Sequence, residues 1–237
     1  MLDRRPAPLA WERVSLELGG FVLADLSLAL GEGEWVALMG PTGAGKTLVC
    51  EIAAGFLAPS SGRVLARGEE VTGLAPERRG LGYVPQDDLL FPHLTVRDNL
   101  RFGARRGVHG GAGPGEALAA LAGGLEIGAL LDRRTAALSG GERQRVAIGR
   151  VLAAGAEVWL LDECTSALDD DARVRIGCFL RDWQRRAGAS VLQVTHDAGE
   201  AARLADRVVR MSRGRLLAAE PPYSAAPARP AIPARER

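Results

Sequence analysis

A chain of 237 residues, 47% hydrophobic and 25% charged, is long enough for one large domain or two small ones with a buried core. A formal net charge of +1 with acids and bases interleaved argues against nucleic acid as a partner. No stretch approaches the roughly 18 to 20 uninterrupted apolar residues of a membrane helix, and the start, Met1-Leu2-Asp3-Arg4-Arg5-Pro6, lacks the apolar core of a secretory signal.

Alternation around Val14-Ser15-Leu16-Glu17-Leu18 predicts antiparallel strands between about Leu9 and Leu30, joined at Gly19-Gly20. Trp35-Val36-Ala37-Leu38-Met39 is a short continuous apolar run, the pattern of a buried parallel strand. It feeds into a glycine-rich turn, after which Leu48, Val49, Ile52 and Ala53 have helical spacing as far as Gly55. Pro59-Ser60-Ser61-Gly62 reads as a turn, and Leu81-Gly82-Tyr83-Val84 as a strand ending at Pro85-Gln86. From about Asp87 to Ala154 the composition is helical, interrupted by a glycine-rich loop over residues 109–115. Val158–Leu161 and Ser190–Val194 return as buried strands around a helix across 170–187. The layout is α/β. A parallel-sheet core covers about 9–86 and 155–220, with an antiparallel β portion at its start, and a helical insertion spans about 87–154. The Pro-, Ala- and Arg-rich tail, 221–237, predicts disorder.

Of the 30 basic residues one is lysine, Lys46. It sits in Gly40-Pro41-Thr42-Gly43-Ala44-Gly45-Lys46-Thr47, which fits the phosphate-binding pattern G-x-x-x-x-G-K-[ST]. A compact ammonium on a flexible stem reaches into such a turn where a planar guanidinium does not fit. Backbone N–H groups of this loop and the positive end of the following helix would hold β- and γ-phosphates, and the Thr47 hydroxyl would ligate Mg²⁺. Val158-Trp159-Leu160-Leu161-Asp162-Glu163 is an apolar strand ending in two carboxylates. Asp162 would hold the metal, and Glu163 is placed to polarise an attacking water as general base. In Leu138-Ser139-Gly140-Gly141-Glu142-Arg143-Gln144-Arg145, Ser139 is an N-cap candidate for a helix running to about Ala153, and Gly140-Gly141 would expose its first N–H groups. That makes a second phosphate site, out of reach of the first unless the protein closes around one nucleotide.

This ordered set resembles the ATP-binding cassette (ABC) ATPases, over about residues 10 to 218: the phosphate loop, Gln86 after a strand, the Leu138–Gln144 signature, the acidic strand end, Ser166-Ala167-Leu168-Asp169, and His196 after a strand. The resemblance implies a P-loop NTPase (RecA-like) core with an ABC-specific helical insertion. It further implies a head-to-tail dimer, a homodimer or one paired with a second cassette, in which each ATP lies between one subunit's Lys46 loop and the partner's Ser139, Gly140 and Gly141. By the same resemblance Gln86 contacts metal or water and senses a membrane partner, Asp169 crosses the dimer interface, and His196 contacts the γ-phosphate.

The chain departs from the family at two places. Cys164 stands where a proline usually follows the catalytic glutamate, which would loosen the turn aiming Glu163, supply a reactive thiol, or be a tolerated substitution, the reading favoured here. Cys50, Cys164 and Cys178 otherwise read as reduced thiols of a cytosolic protein. The adenine-stacking aromatic of the family falls at Glu17 or Leu18 here, leaving Phe21 and Trp11 as nearby substitutes.

Without a membrane span, such a subunit passes its motion to a separate permease at the cytoplasmic face of the cell membrane. Leu89, Leu90 and Phe91, just after Gln86, resemble the segment of importer ATPases that lies near the permease groove. The wording of the phosphate loop, of Leu90-Phe91-Pro92-His93 and of the signature is most similar to molybdate, tungstate and related oxyanion importers, with polyamine and ferric-ion importers also similar. An exporter-type ATPase is the alternative. An importer would serve a solute-binding protein indirectly. About 20 residues follow Met211-Ser212-Arg213-Gly214-Arg215, too few for the C-terminal regulatory domain of many relatives.

Overall fold

The β-pattern of the first thirty residues produces β1 (Leu9–Leu18) and β2 (Phe21–Leu30), paired antiparallel with Leu18 opposite Phe21. The two-residue turn between them needs positive φ twice, and Gly19 (55°) and Gly20 (85°) supply it. Arg13 and Asp25 also take positive φ where the register shifts. There the side chains of Ser27 and Ser15 accept the backbone N–H groups of Arg13 and Asp25 in place of ladder partners. The computed structural model describes residues 6–87, 89–104 and 114–217.

A second partner of β1 was not expected. Ser61-Gly62, read above as part of a turn, opens β4 (Ser61–Ala66), which pairs antiparallel with β1 and with the two-residue β5 (Glu69–Glu70). The strand is weakly marked because only Val64 of its six residues is buried. The resulting sheet has the order β2-β1-β4-β5.

The other sheet has the order β10-β9-β3-β8-β7-β6. Its strands are β3 (Trp35–Met39), β6 (Leu81–Val84), β7 (Val158–Asp162), β8 (Ser190–Val194), β9 (Arg207–Ser212) and β10 (Arg215–Leu216). All its pairings are parallel except that of β10 with β9. Every residue of β3, β7 and β8 is buried, which explains their uninterrupted apolar runs. Strands β9 and β10 escaped the sequence reading because Arg207 and Arg210 interrupt the apolar residues of β9 without a period of two, and β10 has only two residues.

Helix α1 (Lys46–Ala54) follows β3 directly and ends at Gly55 in the left-handed region. The helical stretch between 87 and 154 contains α2 (Val96–Ala104), α3 (Pro114–Gly124) and α4 (Gly140–Ala153). Pro114 and Gly115, assigned above to a loop, instead open α3, since proline is well suited to a first helical turn. The rest of that glycine-rich loop and the 221–237 tail lie outside the described residues. After β7 come α5 (Asp170–Ala187) and the short α6 (Ala198–Leu204), the latter unforeseen. Among the described residues no helix is long and apolar enough to cross a membrane.

Alternate residues of the central strands serve two cores. Trp35, Trp159, Leu161 and Val191 face α2, α3, α4 and α5. Val36, Leu160, Leu192 and Val194 face α1 and the antiparallel sheet. The helical insertion is therefore continuous with one face of the parallel sheet.

The C-terminal end of α1 is held by one buried guanidinium. Arg79 donates through Nη1 to Ile52 O (2.7 Å) and Ala53 O (2.9 Å), through Nη2 to Thr72 O (2.6 Å), and through Nε to Leu74 O (2.9 Å). Ile52 O and Ala53 O lie in the last turn of α1, where carbonyls lack their i+4 N–H, and the C-cap Gly55 N reaches Ile52 O only at 3.3 Å. Arg79→Met keeps the stem but orphans them, which is expected to cost about 2–4 kcal/mol and lower the melting midpoint by roughly 5–15 °C. A scanning-calorimetry shift under about 2 °C would show that water or repacking replaces the guanidinium.

Candidate functional site

Strands β3, β6, β7 and β8 run parallel, so their carboxyl ends share one edge of the sheet, where ligands of open α/β sheets bind. Each end delivers a residue singled out from sequence: the 40–47 loop after β3, Gln86 after β6, Asp162 and Glu163 after β7, and His196 after β8.

The loop's shape depends on glycine. Gly40 (φ 159°), Gly43 (78°) and Gly45 (100°) turn the chain, and a Cβ on Gly40 would lie 2.1 Å from Met211 O. Ala44 O accepts Gly214 N at 3.0 Å, so the end of β9 buttresses the loop from behind. Lys46 lies across it, Nζ donating to Gly40 O (2.9 Å) and Pro41 O (3.1 Å). Helices α4, α5 and α6 carry side-chain caps, from Ser139, Asp169 and Asp197 respectively. Helix α1 has Gly45 at that position, no side-chain cap and no acid in its first turn. Its positive end is thus left available for an anion.

Phe21, Thr42, Gly43, Gly45, Lys46, Thr47, Leu48, Gln86 and Glu163 line one cavity of about 400 Å³. Phe21 thereby separates itself from Trp11, which is buried and donates its indole N–H to Val49 O at 3.1 Å, away from the cavity. Asp162 lines an adjoining cavity of about 270 Å³ that shares Thr47 and Gln86. Its carboxylate is buried, and among the described residues no group meets hydrogen-bond geometry with either oxygen, although the Thr47 and Tyr83 hydroxyls are close by. Burial pushes its pKa up from 3.8 to about 6; the nearby Thr47 hydroxyl and Lys46 pull it down, and the charges of Glu163 and Glu51 add to the rise. An orphaned buried carboxylate beside a threonine hydroxyl and a glutamine amide is the all-oxygen donor set that suits Mg²⁺.

Glu163 has φ 46°, in the left-handed region, which a non-glycine residue occupies only when its surroundings hold it there. Its N–H donates to Val194 O (3.1 Å) and its carbonyl accepts Ser166 N (3.1 Å). Its Oε2 stands 3.7 Å from Nδ1 of His196, whose ring is otherwise exposed. Cys164 is buried, and burial pushes its thiol well up, so it packs as a small hydrophobe with no accessible thiolate.

Ser139, Gly140 and Gly141 do not line the Lys46 cavity. Ser139 N-caps α4 in a capping box: its Oγ accepts Glu142 N (3.3 Å), and its own N–H donates to Glu142 Oε2 (2.7 Å). The start of α4 instead abuts the turn after Glu163. Gln144 donates to Ser166 Oγ (3.1 Å) and accepts Ala167 N (2.9 Å), and Gly141 packs against Ala167 and Leu168. Asp169 accepts Ala172 N at 2.8 Å as the cap of α5.

A profile of the ABC transporter family matches residues 23–166. The chain belongs to the ABC transporter family. The molybdate/tungstate import ATP-binding protein WtpC of Thermococcus kodakarensis is 42% identical over 210 residues, covering 89% of this chain and 64% of that protein. The spermidine/putrescine import ATP-binding protein PotA of Frankia alni is 41% identical over 194 residues, 82% of this chain and 42% of that protein. The chain thus spans less than two thirds of the length of these two relatives. The dimeric post-hydrolysis structure of the ATP-binding cassette MJ0796, bound to ADP and Pi, matches with a TM-score of 0.79 at 28% identity, over 90% of this chain and 97% of that one.

Within this ABC fold, sequence reasoning missed Thr165, Arg173 and Glu200, which link the two loops carrying Glu163 and His196. The Asp197 to Glu200 spacing marks a helix start, but no feature of the sequence signals that Glu200 is buried. Asp162 gives a test. Its folded-state pKa lies above its unfolded value, so the ligand-free fold binds an extra proton between about pH 4 and 6 and loses stability as pH rises through that window. Asp162→Asn removes the buried charge and is expected to melt higher than wild type at pH 8, by up to about 3 kcal/mol in stability. The advantage should shrink below about pH 5. An equal or lower midpoint at pH 8 would mean that the carboxylate is already compensated.

Proposed function

We propose that this chain is an ATP-hydrolysing subunit that powers solute import through a separate integral membrane permease at the cytoplasmic face of the cell membrane. The observation that carries this reading is the split between the two phosphate-facing helix starts. The uncapped start of α1 opens into the cavity with Lys46, Gln86 and Glu163, and the start of α4 lies outside it. Two copies arranged head to tail complete each site, the partner's Ser139, Gly140 and Gly141 covering the γ-phosphate and Asp169 lying at the dimer contact. The dimeric form of the matched cassette supports that arrangement.

The residues divide the work. The loop Gly40, Pro41, Thr42, Gly43, Ala44, Gly45, Lys46 and Thr47 wraps the phosphates, and Phe21 offers its ring to the base. Thr47, Gln86 and Asp162 hold Mg²⁺, which when bound offsets phosphate charge. Glu163 accepts a proton from the attacking water, and His196, 3.7 Å away, contacts the γ-phosphate. Toward the permease, exposed Leu89 and Phe102 flank Phe91, whose ring meets Phe102 edge-on at 4.7 Å under the Arg150 guanidinium. Leu90 packs into the helical core instead.

Molybdate, tungstate or a related oxyanion is the solute class we assign, because the Thermococcus kodakarensis relative bears that name. A polyamine is the second reading, favoured by the Frankia alni relative at nearly equal identity. A solute-binding protein would act indirectly, through the permease.

Glu163→Gln is expected to leave ATP affinity within about threefold while slowing turnover by 10² or more. It should also trap a dimer in MgATP, visible in sedimentation. Turnover within threefold of wild type, or a monomer at saturating MgATP, would refute the scheme. In vesicles holding the permease and its binding protein, molybdate or tungstate is expected to stimulate ATP turnover severalfold and spermidine to leave it unchanged. The reverse pattern would establish the polyamine reading.

A further inference from the structure

The loops that carry Glu163 and His196 leave neighbouring strands, and the ladder between β7 and β8 ends at Asp162 opposite Val194. Beyond it, one backbone bond from Glu163 N to Val194 O spans the gap. The side chain that closes the rest is Glu200 in the first turn of α6, 1% exposed. Its Oε1 accepts Thr165 Oγ1 at 2.7 Å, and its Oε2 accepts Thr195 Oγ1 at 2.7 Å. Each carboxylate oxygen therefore ties down one loop: Thr165 lies two residues beyond Glu163, and Thr195 directly precedes His196. Arg173 of α5 adds a strut, donating to Leu168 O (2.9 Å) and pairing with Asp197 Oδ2 (3.3 Å).

Packing alone does not call for a carboxylate here. A buried carboxylate held by two neutral hydroxyls is costly compared with an apolar side chain of similar volume. It does, however, fix both loops by direction as well as distance. We propose that Glu200 is a positioning residue that sets His196 against Glu163 during ATP hydrolysis, acting through Thr165 and Thr195. This rests on Glu163 being the base, as assigned above.

The test uses the full chain, single-turnover ATP hydrolysis, ATP affinity and melting midpoint. Thr165→Val keeps the β-branched shape and removes one tie; Glu200→Ala removes both, and Glu200→Gln retains one accepting oxygen. We expect single-turnover hydrolysis to slow roughly tenfold for Thr165→Val and roughly 100-fold for Glu200→Ala, with partial rescue by Glu200→Gln. ATP affinity should stay within about threefold, since none of these touches the Lys46 loop. In a His196→Ala background the Thr165→Val cost should fall below about threefold, because the His196–Glu163 pairing that Glu200 sets is gone. If Glu200→Ala does not fold, Thr165→Val carries the test alone. Thr165→Val hydrolysis within twofold of wild type, or an equal loss with and without His196, overturns the proposal. Glu163→Gln in the same assay separates the failures. A fast Glu163→Gln sinks the assignment of the base, and a slow Glu163→Gln beside a fast Thr165→Val sinks only the role of Glu200.

Discussion

The carboxylate of Asp162 is buried at the end of a central strand, and among the described residues no group meets hydrogen-bond geometry with either oxygen. A folded domain gains nothing in stability from such a group, since burial penalises its charge and an apolar side chain would avoid the cost. Its position follows from the sheet. β7 is flanked by β6 and β8 in parallel register, every residue of Val158–Asp162 is buried, and a strand so enclosed delivers its last side chain to a fixed point. The Thr47 hydroxyl, the positive end of α1 and the Lys46 ammonium are fixed beside that point by β3 in the same way. On the proposed role, stability is given up where a cation would be held, and strand packing keeps the site from relaxing.

The same rigidity extends outward through the turn from Glu163 to Asp169. Glu163 is held in a left-handed conformation by backbone bonds to Val194 and Ser166. Gln144 of α4 grips Ser166 and Ala167 from one side, and Glu200 and Arg173 brace Thr165 and Leu168 from the other. The start of α4, which offers its N–H groups away from this chain's own phosphate loop, is thus mechanically joined to the turn that carries Glu163. In a head-to-tail pair, a displacement of α4 by a partner's nucleotide would be felt at the opposite site through side-chain hydrogen bonds alone.

Much of this was legible in the sequence because the chemistry demands particular residues at fixed spacings. The glycines at 40, 43 and 45, the lysine and the two carboxylates after an apolar strand could be placed before any coordinates. Other parts were hidden for physical reasons. Strand β4 buries only Val64, and β9 interleaves arginines with its apolar residues, so neither shows a clean period of two. Glu200 carries no sequence signal of its own, because its burial depends on two threonines, one of them far away in the chain. Phe21 and Trp11 were equivalent on paper. Tertiary packing distinguished them by burying the tryptophan against Val49 and turning the phenylalanine toward the phosphate loop.

Cys164 shows how the fold absorbs a departure from the family pattern. A proline at that position fixes one φ through its ring; cysteine leaves that torsion free. Three sets of interactions restrain the turn instead: the backbone bonds of Glu163, the Gln144 amide, and the two hydroxyls on Glu200. The thiol itself lies among the residues of the helical core, where burial keeps it protonated and out of redox chemistry. The aim of Glu163 is then a property of a network in which each member can be removed singly, whereas a ring constraint is local. The cysteine therefore makes the surrounding hydrogen bonds more consequential in this chain than they would be beside a proline.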